Sequence, residues 1–203
     1  ALDTCRLALE QHPYATEIMV QQAHALADTG QPDQALDVLE KANLFHPHNV
    51  DIAFMQSTLY AATGEFEAAL ESLESILPWT DEQSEVYFQK GWVHQQWQKY
   101  NKAVENYKRA IELNPNHEQA LYELAFCLDL TGKLEESLDF YRQFIDNDPY
   151  SYNAWYNLGI AYSKLQKHED AIHAYEYATL IKEDFASAWY NMGNAHMNLG
   201  NFE

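Results

Sequence analysis

The sequence predicts an all-α solenoid of antiparallel helix pairs, and three observations carry that prediction. Ala35, Ala69, Ala103, Ser137 and Ala171 stand 34 residues apart without a slip, with Ala1 one step earlier. Glycine recurs on the same step at Gly30, Gly64, Gly132 and Gly200, with Gln98 and Gln166 in the remaining rungs. Proline recurs at Pro13, Pro47, Pro115 and Pro149, with Asp81 and Glu183 where it is absent. A fixed period of this length means one supersecondary unit, repeated and stacked on its neighbours.

The ladders place the elements in order. Half a unit covers residues 1–15, full units cover 16–49, 50–83, 84–117, 118–151 and 152–185, and a partial unit covers 186–203. Ala1 and Glu203 both fall inside a unit, so the sequence is expected to be a piece of a longer chain. Within 152–185, a first helix over 152–165 carries the core stripe Trp155, Leu158, Gly159 and Tyr162; a turn follows at 166–168, and a second helix over 169–181 carries Ala171, Ile172, Tyr175 and Ala178. The Thr-Gly pairs beginning at 29, 63 and 131 end first helices, because glycine enters the left-handed conformation cheaply. The proline ladder ends the second ones. Small residues at Ala23, Ser57, Gly91, Ala125, Gly159 and Gly193 mark where helices approach closely. Pro78-Trp79 arrives three residues early, so that helix is expected to stop near Leu77 and Trp79 to pack into the joint.

The segment Ala154-Trp-Tyr-Asn-Leu-Gly-Ile-Ala-Tyr162, followed by Ala171, Tyr175 and Ala178, resembles the tetratricopeptide repeat family, and Ala188-Trp-Tyr-Asn-Met-Gly-Asn-Ala-His196 starts the same signature again. The resemblance covers the whole sequence. It implies a right-handed superhelix whose concave wall is built from the first helix of each unit. It also implies a binding role. The family's clamp for a terminal carboxylate needs Lys, Asn and Arg on consecutive first helices. Here the corresponding places hold Phe54, Thr58, Gln89, Gln119 and Glu123, which argues against that ligand.

Composition narrows the partner. The net charge is −19, and residues 1–83 carry 2 basic against 14 acidic groups, a balance of −12. Phosphate binding needs clustered Lys and Arg, so nucleic acid is disfavoured. Many of the acids are expected as solvated or helix-starting charges, with Asp33, Glu67, Glu135, Glu169 and Glu203 opening second helices where the helix dipole favours them. Cys5 and Cys127 are too far apart along a solenoid to pair and read as buried apolar residues. The nine histidines show no His-x-x-x-His spacing, so no metal and no cofactor are expected. No apolar run is long enough to span a membrane, so no membrane insertion is expected. A cytoplasmic location is the favoured expectation, any signal peptide lying outside the sequence. No phosphate-cradling glycine loop and no nucleophile beside a base stands at a motif spacing, so the segment is not expected to be an enzyme.

The constellation left for function lies on the first helices. Val20, Phe54, Phe88, Tyr122, Tyr156 and Tyr190 form one ladder, and four residues on, His24, Thr58, Trp92, Phe126, Ile160 and Asn194 form another on the same face. Phe88, Trp92, Tyr122 and Phe126 are expected to meet as one apolar patch. Glu17, Asp51 and Glu85 rim this face at the helix starts. Asn157 and Asn191, with Asn194 one turn on, could hold a peptide backbone, since a side-chain amide both donates and accepts. The expected function is a protein-protein interaction scaffold taking a basic or amphipathic peptide or helix in an aromatic, acid-rimmed groove. The alternatives are a structural or self-associating array and the substrate-recruiting region of a larger enzyme.

Overall fold

A computed structural model of the chain describes residues 2–12 and 15–200, without the side chains of Arg6 and Glu10. The rungs Ala1, Pro13 and Glu203 lie outside the described residues. Among those described there is no strand. The helices are α1 (Leu2–Gln11), α2 (Thr16–Asp28), α3 (Pro32–Phe45), α4 (Val50–Thr63), α5 (Phe66–Ile76), α6 (Gln83–Gln96), α7 (Tyr100–Leu113), α8 (Glu118–Leu130), α9 (Leu134–Asn147), α10 (Tyr152–Lys164), α11 (His168–Ile181) and α12 (Ala186–Asn198). A 3₁₀ turn, Leu77–Trp79, follows α5. The chain forms two compact units, Ala1–Lys99 with α1 to α6 and Tyr100–Glu203 with α7 to α12.

The turn inside each repeat is made the same way every time. The residue after the left-handed position donates its backbone N–H five residues back: Gln31 to Leu26, Glu65 to Tyr60, Lys99 to His94, Lys133 to Leu128 and Lys167 to Tyr162, at 2.8–3.0 Å. This Schellman closure needs a positive φ just before the donor. Gly30, Gly64 and Gly132 supply it at φ 75°, 86° and 77°. Gln98 and Gln166 are held there as well, at φ 58° and 60°. The geometry is thus fixed by the packing of the helix pair and survives where the residue resists it. The first helices α4, α8 and α10 start on side-chain caps: Asn49 Oδ1 accepts from Ile52 N, His117 Nδ1 from Ala120 N and Ser151 Oγ from Ala154 N.

The 34-residue ladders are the core. Ala35, Ala69, Ala103, Ser137 and Ala171 have no exposed surface. In the first unit, one cluster joins Met19, Leu26, Leu39 and Ile52, and a second joins Leu73, Ile76, Val86 and Val93. In the second unit a single cluster gathers Leu121, Leu138, Tyr141, Leu158, Tyr162 and Tyr175. The Tyr175 ring lies directly under Gly159, where a Cβ would stand 2.5 Å from its Cε1. Its hydroxyl is 3.1 Å from Ser163 Oγ.

Two expectations are corrected. Trp79 does not pack into the joint: the 3₁₀ turn swings it outward, where it is 67% exposed and stacks on His48 at 4.6 Å, while Leu77 covers the core instead. Trp155 is half-buried rather than central. Its indole N–H donates to the Pro149 carbonyl at 2.9 Å and its ring stacks on Tyr177 at 4.4 Å.

Candidate functional site

In the first unit, the faces of α2 and α4 line a hollow of about 430 Å³. From α2 come Val20, His24, Ala27 and Asp28; from α4 come Asp51, Phe54, Met55, Thr58 and Leu59; Gln89 comes from α6. The spacings i, i+4 and i+8 on α2, and i, i+3, i+4, i+7 and i+8 on α4, put each set on one stripe. The floor is apolar and two carboxylates stand in the lining, with no lysine or arginine beside them. Phe54 is half-buried against the core cluster of this unit, as is Trp92. Glu17 is exposed, while Phe88 and Glu85 on α6 are half-buried. Glu85 accepts from Gln89 Nε2 at 2.9 Å.

The second unit has a different first-helix face. Tyr122 packs edge-on against Tyr141 and Phe144, at 6.2 and 5.5 Å, and its hydroxyl accepts from Asn157 Nδ2 at 2.7 Å. One repeat on, Tyr156 packs against Tyr175 and Phe185, and its hydroxyl accepts from Asn191 Nδ2 at 3.0 Å. The tyrosine and asparagine ladders are thus bound to each other across successive first helices. Burial, then the Glu123 charge, raises the Tyr122 pKa, while the Asn157 hydrogen bond opposes the rise. Lys164 adds another tie of the same reach to Asp129, at 2.8 Å. Phe126 is half-buried, and Tyr190 is 72% exposed. A hollow of about 250 Å³ lies beside these ties, lined by Ile160, Ser163 and Lys164 of α10, Tyr175 of α11, and Asn191, Asn194, Ala195 and Asn198 of α12.

Phe88 and Trp92 belong to the first unit, Tyr122 and Phe126 to the second. Sequence reading missed Asp28, Ser163 and Asn198. Each follows a named ladder residue by three or four positions, His24, Ile160 and Asn194, so extending the stripes by one turn would have found them.

Two further polar groups, His94 and Cys127, are buried outside these linings. His94 is buried with Nδ1 2.8 Å from the Lys90 carbonyl. Cys127 is buried and its thiol is pushed up to about 12, by burial first and the Glu123 charge second. Among the described residues no group of three or more His, Cys, Asp or Glu could hold a metal ion, and no helix is long and apolar enough to cross a membrane.

Comparison with known proteins agrees with this geometry. Tetratricopeptide repeat profiles match residues 84–117 and 152–185, 26–87, 106–139 and 186–203. The chain belongs to the tetratricopeptide repeat family. It is therefore a helical-repeat scaffold of the kind that binds proteins or peptides. A search of curated protein sequences finds no match. Among solved structures, YrrB, "a TPR protein with an unusual peptide-binding site", is 23% identical with a TM-score of 0.70, covering 94% of this chain and 98% of that one. MamA is 23% identical with a TM-score of 0.71, over 81% and 96% of the two chains. A tetratricopeptide repeat protein from Parabacteroides merdae is 20% identical with a TM-score of 0.72, over 99% and 80%. At these identities the likeness is one of fold.

Proposed function

We propose that the chain is a peptide-binding scaffold whose first unit takes a basic, amphipathic segment of a partner protein on the faces of α2 and α4. The observation that carries this reading is the hollow itself: an apolar floor of Val20, Phe54, Met55 and Leu59 between Asp28 and Asp51, with no cation in the lining. Apolar side chains of the partner would fill the floor and its Lys or Arg would face the carboxylates, within a unit that carries 2 basic and 14 acidic groups over residues 1–83. Within the second unit by itself, the side-chain amides of Asn194 and Asn198 beside Asn191 suit contacts to an extended peptide backbone. The YrrB likeness is consistent with peptide binding and says nothing of the sequence bound.

The test is selection of binders from a random peptide library against the whole chain, followed by affinity measurements on Phe54→Ala and on the pair Asp28→Asn/Asp51→Asn. Selected peptides should combine basic and apolar residues. Both variants should weaken them, and added salt should weaken them in the wild type, since raising ionic strength from 0.01 to 1 M cuts screening from about 30 to 3 Å. Acidic selected peptides, or binding untouched by Phe54→Ala, would refute the reading.

A further inference from the structure

A second cavity lies in the second unit between α9 and α11, with α10 as its floor. It measures about 280 Å³. Ile145, Leu158 and Ala174 form an apolar base and are all buried. One wall is the stacked pair Trp155 and Tyr177, whose ring planes differ by 20° and whose Tyr177 is 51% exposed at the mouth. The indole N–H donates to the Pro149 carbonyl, which orients the Trp155 ring. The opposite rim holds Arg142, Asp146, Asp170 and His173.

The charges at that rim are unequal. Arg142 is already engaged: Nη2 donates to the Tyr162 hydroxyl at 2.7 Å and Nη1 lies 3.4 Å from Asp139. His173 faces Glu176 at 3.1 Å. Asp146 and Asp170 are both exposed, and no lysine lines the cavity. An apolar base, an aromatic wall and surplus carboxylates together select a cation on an apolar stem, because the ring face and the carboxylates attract the charge while the base covers the methylenes. An anion would meet two carboxylates, and the one arginine at the rim is already turned to Tyr162 and Asp139. The volume sits below the ~300–1,000 Å³ of a site for a drug-sized ligand, so it fits one side chain.

We propose that this cleft binds an arginine or lysine side chain of a basic partner protein, as a second contact distinct from the first-helix faces. Trp155 and Asn157 are about 200° apart around α10 at the ~100° step of a helix, so the cleft and the tyrosine-asparagine face open on opposite sides of it. Occupancy of one therefore leaves the other open.

The experiment is a titration of the isotopically labelled whole chain with N-acetyl-arginine amide, read on the Trp155 indole N–H signal by NMR. N-acetyl-norleucine amide serves as the uncharged control. Arginine amide should shift the signal saturably in the millimolar range, roughly the weak end expected for a single exposed cation-aromatic contact with two nearby carboxylates. The variant Asp146→Asn/Asp170→Asn changes only exposed side chains; it should bind about fivefold more weakly while keeping the wild-type spectrum elsewhere. Equal affinity in that variant, an equal response to norleucine amide, or no saturable shift would overturn the proposal.

Discussion

Replacing Gly159 and Gly193 with alanine should have opposite effects, although they occupy the same rung of successive repeats. Helix propensity alone favours both changes by about 0.8–1 kcal/mol, since alanine loses less backbone entropy than glycine in a helix. At Gly193 nothing lies within 4 Å of the new Cβ, so that gain should be realised in full. At Gly159 the Cβ would stand 2.5, 2.7 and 3.0 Å from Cε1, Cδ1 and Cζ of Tyr175. Ordinary carbon contacts are about 3.5–4 Å, so the ring must retreat by roughly 1 Å. It has little room to do so, being 1% exposed and held near Ser163 through its hydroxyl. Overpacking of this kind costs about 1–3 kcal/mol or more, which outweighs the propensity gain. The expected net loss for Gly159→Ala is about 1–2 kcal/mol, or a melting temperature lower by about 4–8 °C per kcal/mol for a unit of this size. Urea unfolding followed by circular dichroism measures both variants. If Gly159→Ala stabilises the protein as much as Gly193→Ala does, the close approach of α10 and α11 is not what the structure shows.

Three further outcomes are expected. Tyr107 and Tyr141 are buried and their pKa values are raised well above 10, chiefly by burial; a folded value above the unfolded one means stability is intact below pH 10 and lost above it. The loss is about 1.4 kcal/mol per pH unit for each, and ultraviolet titration should show these phenols ionising only as the second unit unfolds. Gln98→Gly and Gln166→Gly should each stabilise the chain by roughly 0.5–1 kcal/mol in denaturant melts, because the left-handed backbone at φ 58° and 60° strains a residue with a Cβ. Cys127, buried and with its thiol raised to about 12, should resist alkylation at pH 8 until denaturant is added; rapid labelling of the native chain would contradict its burial.

Most of the helix boundaries were legible because the ladders carry their own punctuation. Gly64 at φ 86° ends α4 where Thr63-Gly64 predicts a stop, and α9 ends at Asn147 just before the Pro149 rung. The aromatic and acidic faces were partly legible: Asp51, Phe54 and Thr58 do line one hollow. What a fixed step of 34 concealed is chemistry at other separations. Tyr122 to Asn157, Tyr156 to Asn191 and Asp129 to Lys164 are each 35 apart, one period plus one residue, so no single column contains both partners. Trp79 escaped for a local reason, since a proline shifts the backbone into a 3₁₀ turn and rotates the next side chain by an amount the repeat does not encode.

The tyrosine-asparagine bonds have a consequence for how the second unit comes apart. In a stack whose parts touch only their neighbours, cooperativity depends on how much of the free energy sits between repeats rather than within them. The bonds from α10 to α8 and from α12 to α10 belong wholly to that interfacial share. Losing one helix pair strips its neighbour of a hydrogen bond and leaves a half-buried polar group without its partner, so frayed states with one repeat melted are penalised twice. The second unit should therefore open as a block, and a partner held on its first-helix face would meet either the whole surface or none of it.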